Sequence, residues 1–346
     1  MLRVAIIGAS GYTGGELVRL LSSHPDVTVT AATSRQHEGK PLSSIYPHLQ
    51  QRTDLVCTNP SGAQLAELAD FFFCAVPHQA AMALVPGLIE AGKKVVDLSA
   101  DFRFRDIAVY EHWYQAHSAP ELAATAVYGL PELYRERIRP ANLVGNPGCY
   151  PTGIILTLAP LLQAGVIDPG SIIIDAKSGT SGAGRGASMA TLFCEVNDGF
   201  RAYKVAGQHR HTPEIEQHLS DSAGHPVTVT FTPHLLPISR GILSTIYATL
   251  TTDNDEGQLR DLLYQSYRGE PFIRILDRGE QPATQYVRGS NLCDIALTVE
   301  ERTNRVILTA AIDNLVKGAA GQAVQNMNLM CGYAETAGLT QVPLFP

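Results

Sequence analysis

The sequence predicts an α/β chain of two domains, a doubly wound parallel sheet followed by an α+β domain on a mixed sheet. Three observations carry this. The 346 residues exceed the ~100–150 of a typical single domain. Short apolar runs alternate with helical patterns up to about residue 148, the rhythm of right-handed βαβ crossovers. After Cys149 the apolar runs lie further apart and end in a hairpin pattern.

The elements follow in order. LRVAII (2–7) is a continuous apolar run, as a strand buried on both faces requires, and Leu17, Leu20 and Leu21 mark one face of the next helix. VTVTAAT (27–33), DFFFCAV (70–76) and KVVDL (94–98) continue the sheet, with a helix over QAAMALVPGLIEAG before the last of these. In the second domain SIIIDA (171–176), PVTVTFT (226–232), ILSTIYATL (242–250) and FIRIL (272–276) read as strands. CDIALTVE and RVILTAAID flank Glu301-Arg302-Thr303-Asn304 as an antiparallel hairpin. The closing NLVKGAAGQAVQNMNLM is helical and is expected to pack on the first domain. The division is therefore 1–148 with 315–346, and 149–314.

Gly8-Ala9-Ser10-Gly11-Tyr12-Thr13-Gly14 lies between the first strand and the first helix. Its glycines permit a tight turn, and the helix-start N–H groups suit a pyrophosphate, which makes the first domain a Rossmann-type dinucleotide fold. The spacing is GxxGxxG, not the usual GxGxxG, so the strand-before, helix-after context carries the reading. The second strand ends in Thr33-Ser34-Arg35-Gln36 without the acid that would bind a ribose 2′-hydroxyl. Ser34 and Arg35 suit a 2′-phosphate, so NADP(H) is favoured over NAD.

Bulk composition narrows the partners. With 45% hydrophobic residues, 17% charged and a net charge of -7, the chain is an ordinary globular protein without the basic surface that nucleic acid or anionic membranes favour. Residues 153–167 fall short of the ~20 apolar residues of a membrane span. No signal peptide is evident, so a cytoplasmic location is expected. Six scattered cysteines without a CxxC pair imply neither disulfides nor a metal site, and most are expected in the core.

Cys149 is the expected exception. GNPGCYPT sets it between glycines and prolines, just before the helical run GIILTLAPLLQAG, where helix-start N–H groups favour a thiolate. Partners for such a nucleophile lie in GQHRHTPE, where Thr212 is expected to cap the helix begun by Pro213 and Glu214 and to hold His211 just outside it. His209 and His211 both remain candidates, and no third ligand at a recognised spacing makes them a metal site. KSGTSGAGRG (177–186) is too glycine-rich for regular structure and lets backbone approach a cofactor or an anionic substrate. Arg103 follows a strand at the carboxyl edge, where paired N–H donors can clamp a phosphate. YEHWYQAH (110–117) is explained by packing at least as well as by function.

VGNPGCYPTGIILTLAP, KSGTSGAGR, GQHRHTPEIEQ, YGLPEL and DNLVKGAAGQAVQNMN together resemble the N-acetyl-γ-glutamyl-phosphate reductase family of arginine biosynthesis, in its longer type, over residues 4 to about 328. That family is similar to aspartate-semialdehyde and glyceraldehyde-3-phosphate dehydrogenases in fold and logic. The resemblance implies Cys149 as nucleophile and a histidine of HRHTPEI as acid/base, with His211 preferred and His209 kept beside it. It implies Ser178, Gly179 and Asn314 near the nicotinamide, while Arg103 and Asn146 are the expected substrate-side residues. The implied substrate is a small acyl phosphate, with NADP(H) as cofactor in a homodimer or homotetramer. An aminoadipyl or aspartyl phosphate remains an alternative, because one methylene is worth only ~1–3 kcal/mol of discrimination. A dehydrogenase without covalent catalysis would make Cys149 dispensable, and an NADP-sensing regulator would leave GNPGCYPT and HRHTPEI unexplained.

Overall fold

The structure is a computed structural model and describes residues 1–345. The chain forms two units, Met1–Pro147 with Ala319–Gln341, and Gly148–Gly318 with the residues from Val342 onward. The return to the first unit thus comes at Ala319, not at Leu315 as expected. Backbone explains the later junction: the Gly318 N–H folds back onto the Asp313 carbonyl at 3.0 Å, which keeps residues 313–318 with the second unit.

In the first unit seven strands are all parallel: β1 (Leu2–Ile7), β2 (Val27–Thr33), β3 (Cys57–Thr58), β4 (Phe71–Cys74), β5 (Lys94–Asp97), β6 (Val127–Tyr128) and β7 (Leu143–Gly145). Their spatial order, β3-β2-β1-β4-β5-β7-β6, reverses between β1 and β4. Ligands of doubly wound sheets bind at such a switch point, beyond the strands' carboxyl ends. Phe71, Phe72 and Phe73 are all fully buried, because helices cover both faces and β4 has no solvent side. The helix Gly321–Cys331 packs on the helices Tyr12–Leu21 and Pro131–Ile138 and on β5, all within this unit. A π turn over Val316–Ala320 precedes it.

The second unit has a mixed sheet of β8 (Ile173–Gly179), β9 (Arg201–Ala202), β10 (Thr230–Leu236), β11 (Ile242–Thr249), β12 (Ile273–Ile275), β13 (Cys293–Glu300) and β14 (Arg305–Ile312), in the order β12-β13-β14-β11-β8-β10-β9. β13 and β14 form the expected antiparallel hairpin, and Asn304 takes the left-handed conformation at its turn (φ 52°). β10 starts four residues later than PVTVTFT suggested. The Val227 and Val229 N–H groups are taken by the side chains of Ser220 and Glu216, so they are not available to a neighbouring strand.

Every residue from Tyr150 to Leu162 of the helix Cys149–Gln163 is buried. It packs against β11, β14 and the helices Thr212–Ala223 and Glu256–Ser266. Pro160 lacks the N–H that would bond Leu156, and the Tyr267 hydroxyl donates to that carbonyl instead. Among the described residues no helix is long and apolar enough to cross a membrane.

Candidate functional site

The glycine turn of the first unit sits at the β1/β4 switch. Gly8 has φ +89°, and a Cβ there would lie 2.3 Å from the Ala75 carbonyl oxygen, so no other residue fits. A Cβ on Gly14 would lie 2.5 Å from the Gly8 oxygen, which leaves glycine as the residue that lets the helix start this close to the strand. Gly11 differs: a Cβ there would meet nothing nearer than 3.6 Å, and its face is open. As N-cap of Tyr12–Leu21 it offers no side-chain cap, and the first helical turn contains no acid. Exposed Tyr12 and half-buried Thr13 open that helix. The turn is held from below by Gly8 and Ala9 N–H donating to the Thr33 carbonyl, and by the Tyr46 hydroxyl on the Ser10 and Gly11 carbonyls. Ser10 and Ser34 hydroxyls bond each other at 2.8 Å, and Arg35 beside them is exposed. An uncapped helix start behind two obligate glycines fits a dinucleotide pyrophosphate.

Arg103 is not a surface residue. It is 6% exposed, with Nε donating to the Asn146 carbonyl at 2.7 Å and Nη2 to the Leu98 carbonyl at 2.9 Å. The Asn146 amide is also engaged, donating to the Ala319 carbonyl and accepting from Asn326. These bonds fix the chain as it leaves β7 toward Pro147. Asp97 lies nearby, fully buried. Burial and the Asp101 charge push its carboxyl up to about 7, against the Ser99 hydrogen bonds and the Arg103 charge. In YEHWYQAH, Tyr110 and His117 are buried and bond Asp101, which supports the packing reading.

In the second unit Gly148 is the N-cap of the buried helix and Cys149 its first residue. The first turn has no acidic residue and no side-chain cap. Cys149 therefore lies where the helix partial charge favours a thiolate. The Gly148 N–H donates to Glu214 Oε1 at 2.8 Å, and Glu214 is fully buried. A Cβ on Gly318 would lie 2.9 Å from the Cys149 Cβ, so only glycine lets the chain pass this closely. Of the other cysteines, Cys57, Cys74 and Cys293 are buried, Cys331 is half-buried and Cys194 is exposed.

Both histidines belong to this unit, with ring centroids 4.8 Å apart. The Tyr150 ring lies 5.5 Å from His209 and 6.0 Å from His211. His209 Nδ1 accepts the His211 backbone N–H at 3.1 Å, so it carries no proton in this arrangement. Burial, reinforced by Lys204 and Arg210, pushes the His209 imidazole down to about 3. His211 is half-buried at the N-cap of Thr212–Ala223. The expected Thr212 cap is not formed. Thr212 is the first helical residue because its N–H folds back to the His209 carbonyl, and its hydroxyl is buried without a hydrogen-bond partner. Tyr150 and Tyr203 hydroxyls lie 3.1 Å apart, and burial pushes the Tyr203 phenol up to about 12, so it stays neutral.

The glycine-rich segment is more regular than expected: residues 177–179 extend β8, and Thr180–Ala183 form a tight helical turn. β8 continues because Gly179 N–H bonds the Gly241 carbonyl, and a Cβ at Gly179 would come within 2.9 Å of the Arg240 backbone N. The buried Ser178 hydroxyl donates to the Gly179 carbonyl. Asn314 joins this loop to β11, with Nδ2 donating to Ser181 Oγ and Oδ1 accepting from Gly241 N–H. Among the described residues no group of three His, Cys, Asp or Glu is arranged to hold a metal ion.

Two family models cover nearly all of this framework. Residues 3–141 match the semialdehyde dehydrogenase NAD binding domain, and residues 149–314 match the semialdehyde dehydrogenase dimerisation domain. N-acetyl-gamma-glutamyl-phosphate reductases of Desulfotalea psychrophila and Geobacter metallireducens are 62% and 60% identical to it, each over the full length of both chains. The chain belongs to the N-acetyl-gamma-glutamyl-phosphate reductase family. It is an oxidoreductase with a nicotinamide dinucleotide cofactor. The fold is like that of aspartate semialdehyde dehydrogenase II of Vibrio cholerae, solved with ASA. That structure has a TM-score of 0.74 at 18% identity and covers 96% of this chain and 98% of its own. The Candida albicans aspartate semialdehyde dehydrogenase, solved with NADP, has a TM-score of 0.69 at 16% identity and covers 96% and 98%.

Sequence reasoning missed Glu214 as a partner of the cysteine turn and missed Gly318 altogether. Glu214 was legible only as a residue at a helix start, because its partner is 66 residues away. The signal for Gly318 was the run KGAAG (317–321), which Leu315 and Val316 separate from the Asp313-Asn314 pair.

Proposed function

We propose that this chain catalyses the NADPH-dependent reduction of N-acetyl-γ-glutamyl phosphate to N-acetylglutamate 5-semialdehyde, with release of phosphate, through a thioester on Cys149. The observation that carries the chemistry is the position of Cys149, first residue of a buried helix whose first turn has neither an acidic residue nor a side-chain cap. The remaining helix-start N–H groups stabilise a thiolate there, the Gly148 N–H being taken by Glu214.

The thiolate attacks the acyl carbonyl carbon, and the C–O bond to phosphate breaks with its electron pair leaving on phosphate. Arg103 contributes positive charge for that phosphate, and Asn146 positions the turn that carries the cysteine. A dinucleotide held by the Gly8–Gly14 turn would supply the hydride for the thioester carbonyl carbon. His211 then governs the proton on the former carbonyl oxygen, and collapse of the thiohemiacetal breaks the C–S bond to return the Cys149 thiolate. The assignment of the proton to His211 rests on His209, whose Nδ1 is committed to a backbone N–H and whose pKa lies far below neutrality. His209 thus serves as the neutral prop on which the His211 backbone rests.

For the dinucleotide, Gly8, Gly11 and Gly14 shape the turn, Tyr12 and Thr13 supply helix-start N–H groups, and Ser10, Ser34 and Arg35 favour a 2′-phosphate. Ser178, Gly179 and Asn314 frame the nicotinamide end. A cytoplasmic homodimer or homotetramer fits the dimerisation-domain match and the absence of a spanning helix among the described residues.

The reverse assay tests the reading. N-acetylglutamate 5-semialdehyde with NADP and phosphate should generate NADPH in a phosphate-dependent way, faster than the aspartyl or aminoadipyl semialdehyde and faster than with NAD. Arg35→Asp should remove the preference for NADP while affecting NAD much less. A phosphate-independent rate, or equal losses with both cofactors, would contradict the reaction or the cofactor assignment respectively.

A further inference from the structure

We infer that Asp313 is a positioning residue for the nucleophile, holding Gly318 against Cys149; the inference rests on the reading of Cys149 as the residue that carries the acyl group. Asp313 is fully buried at the end of β14. Its Oδ1 accepts the Leu315 and Val316 N–H groups at 2.8 and 3.2 Å. Its Oδ2 accepts the Gly289 N–H at 2.7 Å and Arg240 Nη1 at 3.4 Å. Its backbone carbonyl accepts the Gly318 N–H at 3.0 Å. One residue therefore shapes the whole turn 313–318 and ties it to two other loops.

The turn ends on the cysteine. A Cβ at Gly318 would lie 2.9 Å from the Cys149 Cβ, 3.2 Å from its Cα and 3.4 Å from the Asp313 carbonyl oxygen. Gly318 thus forms a wall on one side of the Cβ that carries the sulfur, and the Asp313 carbonyl sets where that wall stands. A buried carboxylate is a costly way to stabilise a fold, since an apolar substitute of similar volume often does as well. What it provides is four simultaneous acceptor bonds in a fixed geometry. An amide cannot copy them. In Asp313→Asn one oxygen would still serve Leu315 and Val316, but the NH2 would then face the Gly289 N–H, donor against donor. The turn would loosen without losing its length.

The test compares the full-length chain with Asp313→Asn, Gly318→Ala and the double variant. Three quantities are read: the burst of phosphate from the acyl phosphate without dinucleotide, the pH profile of Cys149 alkylation by iodoacetamide followed by mass, and the melting temperature. Each single variant should slow the burst roughly tenfold or more and displace the alkylation profile in the same direction. The double variant should be no worse than the more severe single, because both act through one contact. A lower melting temperature in Asp313→Asn with a wild-type burst and alkylation profile overturns the inference, as do effects that multiply in the double variant. If Asp313→Asn does not fold, Gly318→Ala decides alone, and a wild-type burst and profile there overturns the inference. A wild-type chain that releases no phosphate would refute the acyl-enzyme reading instead, and the alkylation profiles would still decide whether Asp313 positions the thiol.

Discussion

The two glycine turns of this chain use one local device for different ends. Each lies after a strand of the parallel sheet and opens a helix behind a glycine N-cap, with neither a side-chain cap nor an acid in the first turn. At Gly11 a Cβ would meet nothing nearer than 3.6 Å, and the start of the helix Tyr12–Leu21 is left without a side-chain cap. At Gly148 the N–H is already bonded to buried Glu214, and Gly318 closes on the Cβ of the next residue. On the proposed function, the first turn offers its N–H groups to a diffusible anion, whereas the second lends their field to a fixed side chain. The surroundings, more than the turn itself, decide whether a helix start becomes a binding site or a nucleophile mount.

Substitutions can break that comparison, beginning with the histidines beside the fixed side chain. His211→Asn should cost roughly 10²–10⁴-fold in turnover and remove one limb of the pH-rate profile. His209→Asn should cost less and act mainly on stability, since His209 supports the His211 backbone. Steady-state kinetics across pH decide, and a greater loss at His209 would reverse the roles.

The glycines of the open turn should separate next. Gly8→Ala combines a positive φ with a Cβ 2.3 Å from a carbonyl oxygen, and it should destabilise the fold by at least about 2–3 kcal/mol. Gly11→Ala should leave denaturant unfolding unchanged but weaken dinucleotide binding by roughly tenfold, about 1.4 kcal/mol. Equal unfolding midpoints for the two variants would dissolve the distinction between a turn glycine and an approach glycine.

The effects of pH should run in opposite senses in the two units. Asp97 has its folded pKa raised to about 7, so its contribution is present at low pH and lost as pH rises from the usual carboxylate range through about 7. His209 has its folded pKa lowered to about 3. Below the ordinary imidazole value the unfolded chain binds a proton that the folded chain does not, so stability falls as pH drops. Relative to the parent, Asp97→Asn should gain stability as pH rises from 4 to 7, and His209→Gln should gain as pH falls from 6.5 to 4. Each slope is at most about 1.4 kcal/mol per pH unit. Urea midpoints measured across that range check the signs.

Local patterns were legible where a residue's neighbours in sequence are also its neighbours in space. β1, β2, the β13–β14 hairpin, the glycine turn and the cysteine at a helix start all follow from runs of six to ten residues. Long-range bonds carry no such pattern. Arg103 looks like a loop arginine until the Asn146 carbonyl, 43 residues away, arrives at its Nε. The late start of β10 depends on Ser220 and Glu216, which lie on a helix and compete for strand N–H groups. The preference for His211 in the proposed mechanism rests on which His209 ring nitrogen faces a backbone N–H, which no local pattern shows.

The proposed reaction requires Cys149 to form an acyl-enzyme, and single-turnover mass spectrometry tests that directly. Wild-type protein mixed with the acyl phosphate, and no dinucleotide, should release about one phosphate per active site and gain the acyl mass on the peptide containing Cys149. Cys149→Ser should fold and bind NADPH as the parent does yet show neither event, because an alcohol proton is far harder to remove than a thiol proton. Substantial activity in the serine variant, or the acyl mass on Cys57, Cys74, Cys194, Cys293 or Cys331, would contradict the account.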